Sequence, residues 1–399
     1  MKLLYTMLRL ESSQGVMSKI KTQIDYLIEN GFEVSLLVGY GDEETLKNKK
    51  RFTDFFSEYK VVFFEIDYKY SLLFINKLYY LREFYQKLDI YLKSMTYDFI
   101  YFRGITAEKN LLKFSKIYND RIIFEINSIM IDEYKTRKAY GKIVLNLLFM
   151  KKILNNSLAC ITITDEIARS IQKTAGRKIK TKTISNSVNV DSFPLVNKSR
   201  SINKEINLLF IGYIAEWHGL DRIIKGISRY KGEYKIKLSI VGDGTLTYSY
   251  KKMVKDNNLD SSVSFLGLVY GEDLDPLFDK CDIAISTLAL HRQGLVETAA
   301  LKNREYLSRG VPFVLSDIDV DLKDKDEISQ FIFNVTPDDS PINIYEVVDF
   351  HKQLLRIETQ NGGQYIKEKI RAFAKNNVDV SIKMKMFTEF ILSLKSNSI

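Results

Sequence analysis

Short apolar runs alternate with longer stretches of helical periodicity from one end of the chain to the other, and that alternation restricts the fold to parallel α/β architecture. Parallel strands cannot be joined by a tight turn, so each needs a crossover, normally a helix. The first half predicts strands at 3–7, 33–38, 61–65, 99–102, 121–125 and 159–162, with a short one near 183–184. The clearest helix, 18–30, stops at Gly31, where a glycine accepts the left-handed conformation that ends helices. After Phe193 and Pro194 the polar stretch VNKSRSINKE has no hydrophobic period and reads as a linker. A second series follows, with strands at 207–211, 237–241, 263–265, 283–286 and 313–316 and helices near 221–229, 245–257 and 304–309. A chain of 399 residues, 45% hydrophobic, is long enough for two cores. The expected division is therefore 1–195, 196–375 and a final helical segment, 376–399, carrying Met384, Met386, Phe387, Phe390 and Ile391 for packing.

Cys160 and Cys281 lie far apart in apolar runs, which argues against a disulfide framework or a thiolate metal site. MKLLYTMLRL lacks the apolar core and cleavage site of a signal peptide and reads as a first strand. No apolar run approaches the roughly 18 residues needed to span a bilayer. A cytoplasmic protein is expected. The formal charge of +9, from 59 basic and 50 acidic residues, favours anionic partners. Part of that excess is concentrated between Tyr134 and Leu154, where Lys135, Arg137, Lys138, Lys142, Lys151 and Lys152 meet no acid and interleave with Tyr140, Val144, Leu147 and Leu148. This predicts a basic amphipathic helix. Residues 68–95 carry a second basic, aromatic stretch, which reads either as a solvated helical face or, with the first, as an edge facing anionic lipid. No basic-aromatic sheet motif for nucleic acid is present.

The most informative stretch is AISTLALHRQGLVETAALKNREYLSRGVPFVLS, in which Glu297 and Glu305 are separated by seven residues and Gly310 and Pro312 turn the chain into the next strand. A carboxylate in the first turn of a helix can accept hydrogen bonds from the two vicinal hydroxyls of a ribose. The free amides and positive dipole end of the same helix suit a diphosphate. The spacing alone is common. Its position at the end of a predicted strand, where open α/β sheets bind ligands, gives it weight.

That segment resembles the Glu-x7-Glu region of family 4 glycosyltransferases of the two-domain GT-B kind, and the resemblance extends over nearly the whole chain. It takes in SSQGVMSK with Gly15, IENGFEV, NSVNVDSF, LLFIGYIAEWHGLDRII, SIVGDGTL and VSFLGLVYGEDLDPLFDKCDIAIST. The resemblance implies two Rossmann-like parallel-sheet domains facing across a cleft, the first binding the acceptor and the second the nucleotide sugar, with the last helix returning to the first domain. It implies that Glu305 holds the ribose, that Glu297 faces the donor sugar, and that Lys302 and Arg292 neutralise the leaving diphosphate. Gly15, His218, Gly242, Leu301 and Asn303 complete the nucleotide-sugar set. The chain departs from the pattern at Trp217-His218-Gly219, where many relatives carry a basic residue before glycine. It departs again at Asn186-Ser187-Val188 in place of Asn-Gly-Val, and in having one glycine rather than two in its first loop.

Retention in such enzymes needs no protein nucleophile, since the departing diphosphate can deprotonate the acceptor on the same face of the sugar. This suits a chain with only His218, His291 and His351, none at the spacing of a zinc pair, so no metal or other cofactor is expected. Arg103, Glu125 and Asn127, at predicted strand ends, are acceptor-side candidates, with helix capping or a loop salt bridge as the equal alternative. Thr164 or Asp165 reads as a cap, Gly242-Asp243-Gly244 as either a phosphate cradle or a tight turn, and Trp217 as packing or a stacking platform. The expected partners are a UDP-linked sugar, a glycan or polyprenyl-linked acceptor of bacterial surface polysaccharide synthesis, and the inner face of an anionic membrane. A catalytically silent partner subunit and a sugar-nucleotide epimerase are the competing readings.

Overall fold

The computed structural model describes residues 1–11, 13–41, 43–67, 73–136, 138–176, 179–197 and 204–396. Tyr68, Lys69, Arg137 and most of the expected linker lie outside the described residues. The chain divides into two compact units, one formed by Met1–Ser185 with Lys383–Ile399 and the other by Asn186–Ile382.

In the first unit, β1 (Lys2–Met7), α1 (Gln14–Glu29), β2 (Glu33–Tyr40), α2 (Glu43–Phe55), β3 (Val61–Glu65), α3 (Leu73–Ser94), β4 (Phe99–Arg103), α4 (Lys109–Ile117), β5 (Ile122–Ile126), α5 (Met130–Thr136), α6 (Tyr140–Asn155), β6 (Ala159–Thr162), α7 (Asp165–Ala175) and β7 (Thr181–Thr183) follow one another. The strands pair in parallel in the order β3-β2-β1-β4-β5-β6-β7. The strand order reverses between β1 and β4, and that is where open sheets of this kind bind ligands. β1, β2 and β5 are buried on both faces, which explains their unbroken apolar runs. Thr164 caps α7 by accepting from the Ile167 amide at 3.2 Å. The expected continuous helix over 134–154 is instead α5 and α6, broken where Lys138 takes a φ of 52° and the Ala139 amide folds back to the Tyr134 carbonyl at 2.8 Å.

The second unit runs β8 (Glu205–Ile211), α8 (Leu220–Arg229), β9 (Lys235–Val241), α9 (Thr247–Asp256), β10 (Val263–Gly267), α10 (Asp275–Lys280), β11 (Ile283–Ile285), β12 (Glu297–Thr298), α11 (Leu301–Arg309), β13 (Phe313–Leu315), β14 (Ile318–Asp319), α12 (Asp326–Ser329), β15 (Ile332–Asn334), α13 (Ile344–Asn361), α14 (Tyr365–Asn377) and the start of α15 (Val380–Ser396). Its main sheet has the order β10-β9-β8-β11-β13-β15, reversing between β8 and β11, and β12 pairs with β14 in a separate two-stranded ladder. From Lys383 onward α15 belongs to the first unit. There Met384, Phe387, Ile391 and Leu394 are buried at helical spacing, Phe387 meets Tyr101 edge to face at 5.4 Å, and Lys395 reaches Asp98 at 2.7 Å. The 186–195 segment packs with the second unit, because Arg371 donates to the carbonyls of Phe193 and Val190 and Lys367 to that of Val196. Cys160 and Cys281 are both buried, and neither is in a disulfide.

Candidate functional site

At the strand-order reversal of the second unit, α11 is fastened across the ends of β8 and β11. The Tyr306 hydroxyl donates to the Ile285 carbonyl at 3.0 Å and accepts from the Ile211 amide at 3.4 Å, so one fully buried side chain ties the helix to both strands. Ser286 donates to the Asn303 carboxamide, whose other end donates to Asp319 at 2.8 Å. Arg304, with no exposed surface, is paired with both Asp319 and Asp321 and donates to the Asn186 carbonyl at 3.0 Å. Asn186 in turn donates to the Ala299 carbonyl at 2.6 Å. A parallel ladder pairs Glu297 with Ile318 and Thr298 with Asp319. The loop holding the two glutamates is therefore braced from three directions, by Asn186, by the β11 end and by residues 316–321.

This frame places the expected residues unequally. Ala300 precedes α11 without a side-chain cap; the Asn303 amide turns back to the Ala300 carbonyl at 3.1 Å, which leaves Leu301 and Lys302 to lead the open donor end. The helix begins at Leu301 rather than near 304, which puts Glu305 in the second turn, on the same face as Lys302 and Arg309. Arg309 holds Glu305 Oε1 at 3.0 Å and reaches Asp275 at 2.7 Å. Burial raises the Glu305 carboxyl above its ordinary value, and Arg309 opposes that rise. Glu297 is buried on β12.

Three of the expected residues have partners or close neighbours within the chain. The Asn303 side chain is wholly committed to Ser286 and Asp319, so it braces the loop and has no carboxamide left for a nucleotide. Arg292 makes a bidentate pair with Asp221 (2.8 and 3.0 Å), a pair with Asp339 at 2.8 Å and a bond to the Glu216 carbonyl at 3.0 Å; it is a tie to α8 and not an open cation. Gly242 needs no ligand to explain it, since its φ is 128° and a Cβ there would fall 1.9 Å from the Gly212 carbonyl oxygen.

Lys302 behaves differently. Its ammonium nitrogen is buried without a hydrogen-bond partner, stands 4.0 Å from the centre of the Phe210 ring and lies beside Gly212, the glycine that turns the chain after β8. Burial pulls it down to about 7, with the Asp317 carboxylate opposing. His218 is also buried, packed edge-on to Phe210 at 5.2 Å with Nδ1 unpartnered. Burial, then the Lys302 charge, push its imidazole well below the usual range, so it is neutral and supplies no counter-charge. Trp217 is half-buried against Tyr213 and His218. Asp317, which the sequence analysis does not single out, has both oxygens buried without a side-chain hydrogen-bond partner. Burial raises it to about 7, with Asp319 adding to the rise and the amides of Asp317 and Ser316 and the Lys302 charge opposing.

A second polar cluster lies at the strand-order reversal of the first unit. Glu125, on β5, accepts from Lys19 of α1 at 2.6 Å and from the hydroxyls of Tyr101 (2.7 Å) and Tyr5 (3.5 Å). Burial works against its charge, but Lys19 and Arg103 outweigh it and hold the carboxyl down at about 2. It is thus a sealed anion rather than an accessible acceptor-side base. Arg103 remains charged, 3.6 Å from Glu11, with Nε buried and unpartnered, and Asn127 likewise buries an unpartnered Oδ1. Gly15 sits inside the first turn of α1, not in the loop before it. Among the described residues no group of three His, Cys, Asp or Glu side chains is arranged to hold a metal ion.

Residues 193–321 match the family model of glycosyl transferases group 1. Among curated proteins, none matches the chain. Solved structures are similar over the full length. A glycosyltransferase from Rickettsia africae ESF-5 aligns with a TM-score of 0.69 at 14% identity, covering 99% of each chain. Sucrose-phosphate synthase from Thermosynechococcus elongatus aligns at 0.70 and 12% identity over 100% of both, and Anabaena HepE in complex with UDP at 0.66 and 16% identity over 98% of this chain and 100% of that one. At such identities the likeness speaks for the fold, which is GT-B with two Rossmann-like parallel-sheet domains.

Proposed function

We propose that the chain is a retaining, metal-independent glycosyltransferase that moves a sugar from a UDP-linked donor to a glycan or polyprenyl-linked acceptor in surface polysaccharide synthesis. The observation that carries this reading is the group 1 match ending over a braced loop in which Glu297, Lys302, Glu305 and the uncapped start of α11 lie at the strand-order reversal of one Rossmann-like unit. In this reading Glu305, steadied by Arg309, takes the ribose hydroxyls; the α11 amides and Lys302 take the diphosphate; Glu297 faces the sugar; and Arg292 positions the loop it ties to α8. As the glycosidic bond breaks, charge accumulates on the departing phosphate, where preorganised donors favour the transition state over the ground state. The same phosphate oxygen then receives the acceptor proton. Arg103 and Asn127, with their unpartnered buried atoms, are the acceptor-side groups retained, and Gly15, in the first turn of α1, stays in the proposed nucleotide-sugar set. The HepE complex with UDP supports a uridine donor for a chain of this fold.

Glu305→Ala tests the reading directly. The variant should fold with a lower unfolding midpoint, because Arg309 keeps only Asp275 as a partner, lose about tenfold or more in nucleotide affinity, which is about 1.4 kcal/mol, and lose turnover with a UDP-sugar. Unchanged affinity and kinetics would overturn the ribose assignment.

Membrane contact belongs to the same proposal. α6 exposes Tyr140, Val144, Leu147 and Leu148, between 54% and 70% accessible, on one face with Lys151 and beside Lys152. Contiguous exposed apolar side chains flanked by lysines match an anionic bilayer surface, which would present a polyprenyl-linked acceptor. Among the described residues no helix is long and apolar enough to cross a membrane.

A further inference from the structure

Glu125 is saturated, and that leaves its cationic neighbour on β4 without a hydrogen-bonded partner. The carboxylate takes Lys19 and the hydroxyls of Tyr101 and Tyr5, so none of its bonds is made to Arg103, although the sheet register sets Arg103 opposite Glu125. Arg103 is the last residue of β4, and its side chain is 18% exposed. Its Nε is sealed from water with no acceptor, and the ion pair of Nη1 with Glu11 Oε2, at 3.6 Å, lies beyond hydrogen-bond distance. A guanidinium stays charged whatever its surroundings, so a fork that is desolvated and unbonded costs free energy until an oxyanion reaches it.

Glu11 lies in the loop between β1 and α1, and β1 and β4 are the neighbours between which the strand order reverses. The Arg103–Glu11 pair therefore spans the mouth of the crevice in which an open sheet binds its ligands. Glu11 keeps its place through its other oxygen, which accepts from the Ser13 amide at 2.9 Å. Strand alternation brings Asn127, one residue past β5, to the face that carries Glu125, and its Oδ1 is buried without a donor. An unsatisfied cation and an unsatisfied acceptor at adjacent strand ends match a ligand that carries both an anion and a hydroxyl.

We propose that Arg103 anchors an anionic acceptor, a sugar whose carboxylate or phosphate takes the guanidinium in place of Glu11 while one of its hydroxyls donates to Asn127. The inference rests on the acceptor-side reading above and narrows it from any glycan to an acidic one. Glu11 is then a stand-in for that anion, and it competes with the acceptor instead of binding it.

Saturation-transfer NMR on the full chain at low ionic strength, with glucose, glucuronate and glucose 6-phosphate as probes, tests this. Wild type should bind glucuronate or glucose 6-phosphate about tenfold more tightly than glucose, as one charge-assisted contact gives, and the preferred anion tells a uronic acid from a phosphorylated sugar. Arg103→Gln should bring the anions down to the affinity of glucose and leave UDP binding unchanged. Glu11→Gln should tighten the anions about threefold or more and leave glucose unchanged, opposite in sign to the loss of a contact. Lys113→Gln, exposed on α4, should change nothing, which separates the site from the general attraction of a basic chain. Equal affinity for all three probes, binding of none, a loss of UDP in Arg103→Gln, or weaker anion binding in Glu11→Gln overturns the proposal. Should Arg103→Gln not fold, the sign of the Glu11→Gln effect decides. UDP titrated into the same samples keeps the two readings apart. If UDP binds and the anions are not preferred, only the acidic acceptor falls; if UDP does not bind while the anions behave as expected, the anion site stands and the transferase reading falls.

Discussion

Lys19→Met separates a structural from a catalytic Glu125. The Lys19 ammonium meets the carboxylate at 2.6 Å with only 5% and 2% of the two side chains exposed, so the pair is screened hardly at all. Glu125 lies near 2 instead of its ordinary 4.5. At 1.36 kcal/mol per pKa unit, that difference corresponds to at most about 3 kcal/mol of stability at neutral pH, since Arg103 and Tyr101 share in it and burial lowers the Lys19 ammonium. A loss of about 3 kcal/mol in a unit of this size lowers the melting temperature by about 6–12 °C. The pH dependence carries its own sign. A depressed carboxyl contributes stability that is complete above the unfolded value and is lost as pH falls toward 2. In Lys19→Met the carboxyl keeps Arg103 but loses its nearest cation, so its folded value rises and less of that stability remains to be lost in acid. The gap between wild type and variant is therefore widest near pH 7 and narrows below about pH 5. Calorimetric or urea unfolding at pH 7 and pH 4, with Glu125→Gln as reference, measures it. A loss under about 1 kcal/mol, or a gap that widens in acid, would refute the sealed-pair argument and return Glu125 to acceptor chemistry.

Gly242→Ala should unfold at markedly lower urea than the wild type, by at least about 1–3 kcal/mol, because its Cβ would fall 1.9 Å from the Gly212 carbonyl in a left-handed conformation; an unchanged midpoint would mean that the 212–214 and 242–244 turns yield without penalty. Replacing Leu147 and Leu148 together by Ser should cut co-sedimentation with phosphatidylglycerol vesicles about tenfold while leaving transfer to a water-soluble acceptor intact, and retained vesicle binding would remove α6 as the docking face.

The sheets were legible because their central strands are apolar on both faces and short, so 3–7, 33–38 and 207–211 stood out within a residue or two of β1, β2 and β8. Three strands escaped. β12 and β14 are two residues each, and their pairing is a long-range event with no local pattern, while β15 is a three-residue edge strand inside a polar stretch. In the site, residue type located Lys302 and Glu305, but direction did not follow from type. Asn303 and Glu305 are neighbours on α11, and helical geometry turns the first into the protein and leaves the second on the face of Lys302. Asn186 read as a turn residue; its hydrogen bond to Ala299, over a hundred residues away in sequence, made it a clamp. Asp317 was not legible because the burial of a carboxylate in a turn leaves no local pattern in sequence.

The Glu297–Ile318 ladder bears on how a protein of this kind changes its donor. Each rung fixes the facing of the next, so a one-residue slip in either stretch would rotate Glu297 to the opposite side. Residues 296–304 and 316–321, joined by that ladder and by Arg304 between two aspartates, form one inheritable cassette. Under the proposed function, transplanting a sugar preference from a relative requires moving both stretches together, and single substitutions at 297 alone will disable the loop more readily than redirect it.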